Sequence, residues 1–204
     1  MDLTLSSIGR LALRSLIAPR EAADTLLSLS VPRNALWMML VIAALIATLC
    51  TSILIQIIGA MIPSDLEGGP EMIFSGLAPL ALAAQTVFSL CLISFLQFWI
   101  GARLLGGGAT LEDVVLVNIW WQSLASVSIL LSFLVVLAIP LLGGWPALGL
   151  LLYLVWIFLV FLDRAEGFGS VLKALLQVIV SGFAMIVVSI LISSLFAPFL
   201  GAPV

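Results

Sequence analysis

The amides of Gln97, Asn118 and Gln122 are the groups in this chain best suited to chemistry. They stand inside long apolar runs, where an amide facing lipid is costly and one facing another helix finds a partner. Asn118 and Gln122 are four apart, so they share one face of a helix. With Gln97 they outline a candidate polar cleft open at one end of a bundle. The plainer alternative is hydrogen bonding between helices. Gln56, Gln85 and Gln177 are the other amides in such runs.

Gly106, Gly107 and Gly108 resemble a loop that could cradle a phosphate. The Lys-Ser/Thr pair of a phosphate-binding loop does not follow them. A local explanation serves better. The glycines let the chain turn, Thr110 caps the next helix, and Glu112 and Asp113 complement its N-terminal dipole. Thr110 and Asp113 are close to capping-box spacing. Cys50 and Cys91 fall near mid-depth of the first two apolar runs and read as small apolar fillers. The chain has no histidine, which removes His-ligated haem, His-containing zinc sites and Ser-His or Cys-His catalysis. No acid or base sits near the middle of a run, where pumps, ion-coupled transporters and voltage sensors place one. Neither a metal, a cofactor nor enzymatic activity is expected.

The elements that position these residues follow from composition. The chain has 204 residues, 64% of them hydrophobic and 8% charged. A soluble domain is about 25% charged. This is an integral membrane protein, and its net charge of −3 gives nucleic acid nothing to bind. Charges divide the chain into apolar runs, and a helix needs about 20 residues to cross the hydrocarbon core. The run from Val114 to Leu162 is too long for one span and holds Pro140, Gly143, Gly144 and Pro146, a turn signature. The expectation is an all-α polytopic protein. Residues 1–33 form amphipathic helices, and residues 34–200 form a five-helix transmembrane bundle with spans at about 35–62, 74–102, 112–139, 144–162 and 170–197.

All seven basic residues fall on one side of that arrangement. Arg10, Arg14, Arg20 and Arg33 precede the first span, Arg103 follows the second, and Arg164 and Lys173 flank the loop after the fourth. The loop with Asp65, Glu67 and Glu71 is purely acidic. The positive-inside bias predicts a cytoplasmic N-terminus and a periplasmic C-terminus in a bacterial inner membrane. No cleaved signal peptide is expected.

Residues 3–17 read as an amphipathic helix. Ser6, Ser7, Arg10 and Arg14 fall on one arc, opposite Leu5, Ile8, Leu11, Ala12 and Leu16. It is expected in the cytoplasmic interface, arginines toward lipid phosphates, as an anchor or as a docking surface for a partner. Arg10, Arg14, Arg20 and Arg33 are the candidate interfacial or partner-docking residues. Pro19 starts a second short helix, with Glu21 in its first turn. Small residues recur at four-residue spacing: Ala43, Ala47 and Thr51 in the first span, Ser128 and Ser132 in the third, Ser189 and Ser193 in the fifth. Such faces let helices approach closely, within one chain or in a homo-oligomer. Trp37, Trp99, Trp120, Trp121, Trp145 and Trp156 include several near span ends, as in interfacial belts, and one of the Trp120-Trp121 pair is expected at headgroup level.

The segment "APREAADTLLSL", the start "NALWMMLVIAAL" of the first span, and "RLLGGGATLEDVVLV" after the second resemble the bacterial branch of the Yip (Ypt-interacting protein) membrane family. That resemblance implies five spans, a cytoplasmic N-terminus and a C-terminus outside. The small-GTPase binding of eukaryotic relatives is not implied. Their Asp-Leu-x-Gly-Pro segment and Gly-Tyr motif are missing, and the stretch after the glycine loop reads "VNIWWQSLAS". The expectation is a non-enzymatic partner-binding, scaffold or membrane-organising protein, with membrane lipid, a protein partner or a second copy as its company. The alternatives are a small permease or channel built on Gln97, Asn118 and Gln122, or an accessory subunit of a larger membrane complex.

Overall fold

The computed structural model describes residues 5–29, 31–61, 79–139 and 145–196. Seven α-helices and no strands are present among the described residues. They are α1 (Leu5–Ile17), α2 (Pro19–Leu27), α3 (Arg33–Met61), α4 (Pro79–Ile100), α5 (Leu111–Ala138), α6 (Trp145–Glu166) and α7 (Val171–Phe196). A π-helical turn, Gly101–Leu105, continues α4. The acidic loop with Asp65, Glu67 and Glu71, and Pro140, Gly143 and Gly144 of the expected turn, lie outside the described residues.

The last five helices are long and apolar enough to cross a membrane, over Arg33–Ile57, Leu80–Leu105, Leu111–Ala138, Trp145–Glu166 and Val171–Leu195. The protein is therefore a multi-pass, all-α membrane protein. The fourth of these helices runs past the expected end at 162 to Glu166, a difference that matters for the site. They alternate in direction, so the starts of α3, α5 and α7 gather with the ends of α4 and α6 at one end, here termed the basic end because Arg103, Arg164 and Lys173 cluster there.

Two helices form the middle of the bundle. α5 packs on α3, α4 and α6, while α4 packs on α3, α5 and α7. Six consecutive residues of α5, Val114 to Ile119, are buried. A helix buried all round needs no polar face, which explains why this stretch shows no amphipathic period. Farther along, Leu131, Leu134, Val135 and Leu137 are exposed, the apolar surface that lipid covers.

Local signals set the element ends at the basic side. Thr110 Oγ1 accepts from the Asp113 amide at 3.2 Å, and Asp113 Oδ2 accepts from the Thr110 amide at 3.0 Å, a complete capping box. Pro19 occupies the first turn of α2, where its missing N–H costs nothing. Gly167, at φ +68°, ends α6 by donating to the Asp163 carbonyl at 2.9 Å.

The α1–α2 pair is attached to the flank of the bundle. α2 packs on α6, and α1 packs on α2. Ala22 and Ala23 are fully buried and Leu26 nearly so. Trp120 Nε1 donates to Ser15 Oγ at 3.0 Å, and Tyr153 Oη donates to the Leu16 carbonyl at 2.6 Å. At 1.5 Å per residue, Trp120 lies about 13 Å along α5 from Leu111, and Tyr153 about 20 Å along α6 from Glu166. These two anchors set α1 against the side of the bundle. The Arg164–Asp24 pair, 3.7 Å apart, ties α2 to α6 at the basic end but is exposed and contributes at most about 1 kcal/mol.

Candidate functional site

Two features of the basic half stand out: a buried polar cluster joining four helices, and an apolar chamber beneath α1.

The cluster starts from Glu166. Leu162 and Glu166 are four apart, so the carboxylate shares the inward face of α6 with a fully buried leucine, while exposed Arg164 faces out. Glu166 is only 3% exposed. Its Oε1 accepts from Gln177 Nε2 of α7 at 2.6 Å, and its Oε2 accepts from the Ala109 amide at 3.4 Å. The Gly108 amide donates to the Glu166 carbonyl at 2.9 Å. Gln177, fully buried, also donates to the Gln97 carbonyl of α4 at 2.7 Å. Gln97 Oε1 in turn accepts from Asn118 Nδ2 of α5 at 2.7 Å, and Asn118 also donates to the Val114 carbonyl. α4, α5, α6, α7 and the glycine loop are thus tied through four side chains. Gln177 Oε1 has no partner.

This geometry explains the three glycines. The amides of Gly106 and Gly107 both donate to the Gly101 carbonyl, which ends the π turn, and Gly106 takes φ +71°. The Gly108 and Ala109 amides go to Glu166. The loop receives the chain's own Glu166, the Gly108 amide on its backbone carbonyl and the Ala109 amide on its carboxyl group. Backbone approaches so closely that a Cβ on Gly107 would collide with Glu166 Oε2, and one on Gly101 with Glu166 Oε1. Among the described residues no Lys or Arg lies within 4 Å of Glu166, and both groups that donate to its carboxyl are neutral.

The residues singled out from the sequence separate into distinct places. Gln97 and Asn118 meet. Gln122 stays apart and donates to Ser126 Oγ at 3.2 Å, beside a small cavity of about 180 Å³ lined also by Cys50 and Thr51. Gln56 and Gln85 are exposed. Ala43 and Ala47 are buried in the α3 interface, while Thr51, Ser189 and Ser193 are exposed. Cys50 and Cys91 are free thiols, each half-buried. Trp120 and Trp121 are both turned inward; Trp121 Nε1 donates to the Leu154 carbonyl at 3.1 Å and its ring packs on Phe158. Arg10, Arg14, Arg20 and Arg33 are all exposed. Glu166 was missed from the sequence because Asp163 and Arg164 make the end of α6 look solvated. The usable signal was the four-residue step from Leu162, beside a loop whose glycines permit close approach.

The chamber lies between α1, the end of α2, α3 and α5, with a volume of about 500 Å³. Leu26, Met39, Ile42, Leu116 and Trp120 line it, and Arg10 and Arg14 stand on its α1 wall. Among the described residues no group of three His, Cys, Asp or Glu side chains could hold a metal. No family model, curated protein or solved structure matches this chain.

Proposed function

We propose that this chain is a non-enzymatic, partner-binding or membrane-organising protein whose working surface is the docked α1–α2 pair. One observation carries this reading. α1 is pinned to the bundle through Ser15 and Leu16, yet leaves Leu13 and Ile17 uncovered, with Ile17 81% exposed. A helix held rigidly from behind, with apolar side chains facing outward, is pre-organised to bind, because little ordering entropy remains to be lost. Gln97 and Asn118, which motivate the permease alternative, are spent on each other and on backbone. The likeness to bacterial Yip-type proteins, a bacterial inner-membrane location and an N-in, C-out orientation belong to the same proposal.

The test is native extraction into lipid nanodiscs, comparing the full chain with a variant lacking residues 1–18. The expected result is a stoichiometric companion, another protein or a second copy, that is lost with the deletion. Association that survives the deletion unchanged would count against the role of α1. A reporter fused after Val204 checks orientation; cytoplasmic activity would overturn the proposed one.

A further inference from the structure

The chamber beneath α1 combines features that together specify a ligand class. Its volume of about 500 Å³ lies within the roughly 300–1,000 Å³ typical of small-molecule sites. Its walls are mostly apolar: Leu26 from α2, Met39 and Ile42 from α3, Leu116 and Trp120 from α5. Among the described residues no acidic side chain lines it. Its lining runs from Met39 to Ile46 on α3 and from Leu116 to Ser123 on α5, about 10 Å of each helix, an apolar wall that suits a hydrocarbon chain.

Its two charged wall residues are Arg10 and Arg14, one helical turn apart on α1. Arg10 Nε donates to the Ser6 carbonyl at 3.3 Å. Among the described residues neither guanidinium has a carboxylate within 4 Å, since the ion pair there is Arg164–Asp24. Two arginines one turn apart beside an apolar wall suit an anionic headgroup, and a phosphate matches the guanidinium fork.

We infer that the chamber holds one anionic glycerophospholipid, its phosphate on Arg10 and Arg14 and an acyl chain along α3 and α5. The lipid completes the contact between α1 and the bundle and makes the docked α1–α2 surface depend on the charge of the surrounding leaflet. The inference rests on the docked position of α1 that the proposed function also uses.

The test is native mass spectrometry of the full chain from micelles offered equal phosphatidylglycerol and phosphatidylcholine with identical acyl chains. The expected result is one phosphatidylglycerol retained per chain. The double variant Arg10→Gln/Arg14→Gln should lower that retention about tenfold or more, since charge-assisted hydrogen bonds are lost. Ile42→Trp, which fills the chamber from a half-exposed position, should lower it comparably. Arg103→Gln, an exposed arginine outside the chamber, should leave it unchanged. Equal retention of both lipids, retention of neither, or retention that survives the double variant would each overturn the inference. A companion protein lost with residues 1–18 while lipid selectivity is absent would sink this inference alone. Selective lipid with no companion would sink the partner reading alone.

Discussion

Gly101→Ala is expected to destabilise the protein by about 2–4 kcal/mol, read as a lower thermal midpoint of helix loss in detergent. The added methyl collides with Glu166 Oε1 and Gln177 Nε2. Both are ends of side chains, which usually move at little cost. Here they cannot. Glu166 is held by the Ala109 amide, Gln177 by the Gln97 carbonyl, and both are buried. Overpacking alone costs about 1–3 kcal/mol, and each hydrogen bond that breaks adds about 0.5–1.5. A single amide pair between membrane helices contributes only about 0.6 kcal/mol on average. The glycine should therefore outweigh the Gln97–Asn118 pair that looks more chemical in the sequence. Gly149 and Gly182 supply the contrast. A Cβ at either meets nothing within 4 Å, so alanine there should be neutral or stabilising by up to about 1 kcal/mol. Equal losses at Gly101 and Gly182 would contradict the close approach of Glu166.

Trp120→Ala should release α1. The indole donates to Ser15 Oγ and packs against the core formed by α2, α3 and α5. Deleting it removes both a hydrogen bond and a large aromatic surface, about 2–3 kcal/mol of docking energy. That corresponds to a rise of about 30- to 150-fold in the undocked population. Ser15 is fully buried, so a cysteine there reports the change directly. In a chain with Cys50 and Cys91 replaced by alanine, Ser15→Cys should react slowly with a polar maleimide, and much faster when Trp120→Ala is added. Trp120→Phe, which keeps most of the packing, should fall between the two. Fast labelling at residue 15 regardless of residue 120 would mean that α1 is not docked.

The spans and the buried site differ in how far they are legible in the chain. Five spans are legible because hydropathy is a local property, and every helix long enough to cross a bilayer is built on an uncharged run, with charged residues only near its end on the basic side. The Thr110–Asp113 capping box and the Pro19 start are legible for the same reason, since each is settled within four residues. The site is not local. Glu166 looks like one more charge in a solvated loop until Leu162, one turn earlier, turns out to face the core. Gln177 lies between buried Ala174 and Ser181 on the inward face of α7, a stripe that leaves the bundle by Ser189 and Ser193. The small-residue period alone could not say where that face stops touching α4. The position of α1 depends on which residues of α5 and α6 stand opposite it, and amphipathicity fixes only which side of α1 faces inward. Arg10 and Arg14 were legible as a basic arc. That the same arc edges an open-sided apolar chamber is a matter of tertiary packing.

Attachment of α1 to the flank of the bundle is the claim on which the proposed function and the lipid inference both stand. The most direct measurement is crosslinking between residues 11 and 123, which line facing walls of the chamber and leave both anchors of α1 intact, in unextracted membranes. It uses Leu11→Cys/Ser123→Cys in the cysteine-replaced chain and a short bifunctional maleimide. The expected result is an intramolecular crosslink in most chains, set against little or none for a Leu13→Cys/Ser123→Cys control, because Leu13 is 61% exposed. Equal crosslinking of the two pairs, or none at residue 11, would contradict it.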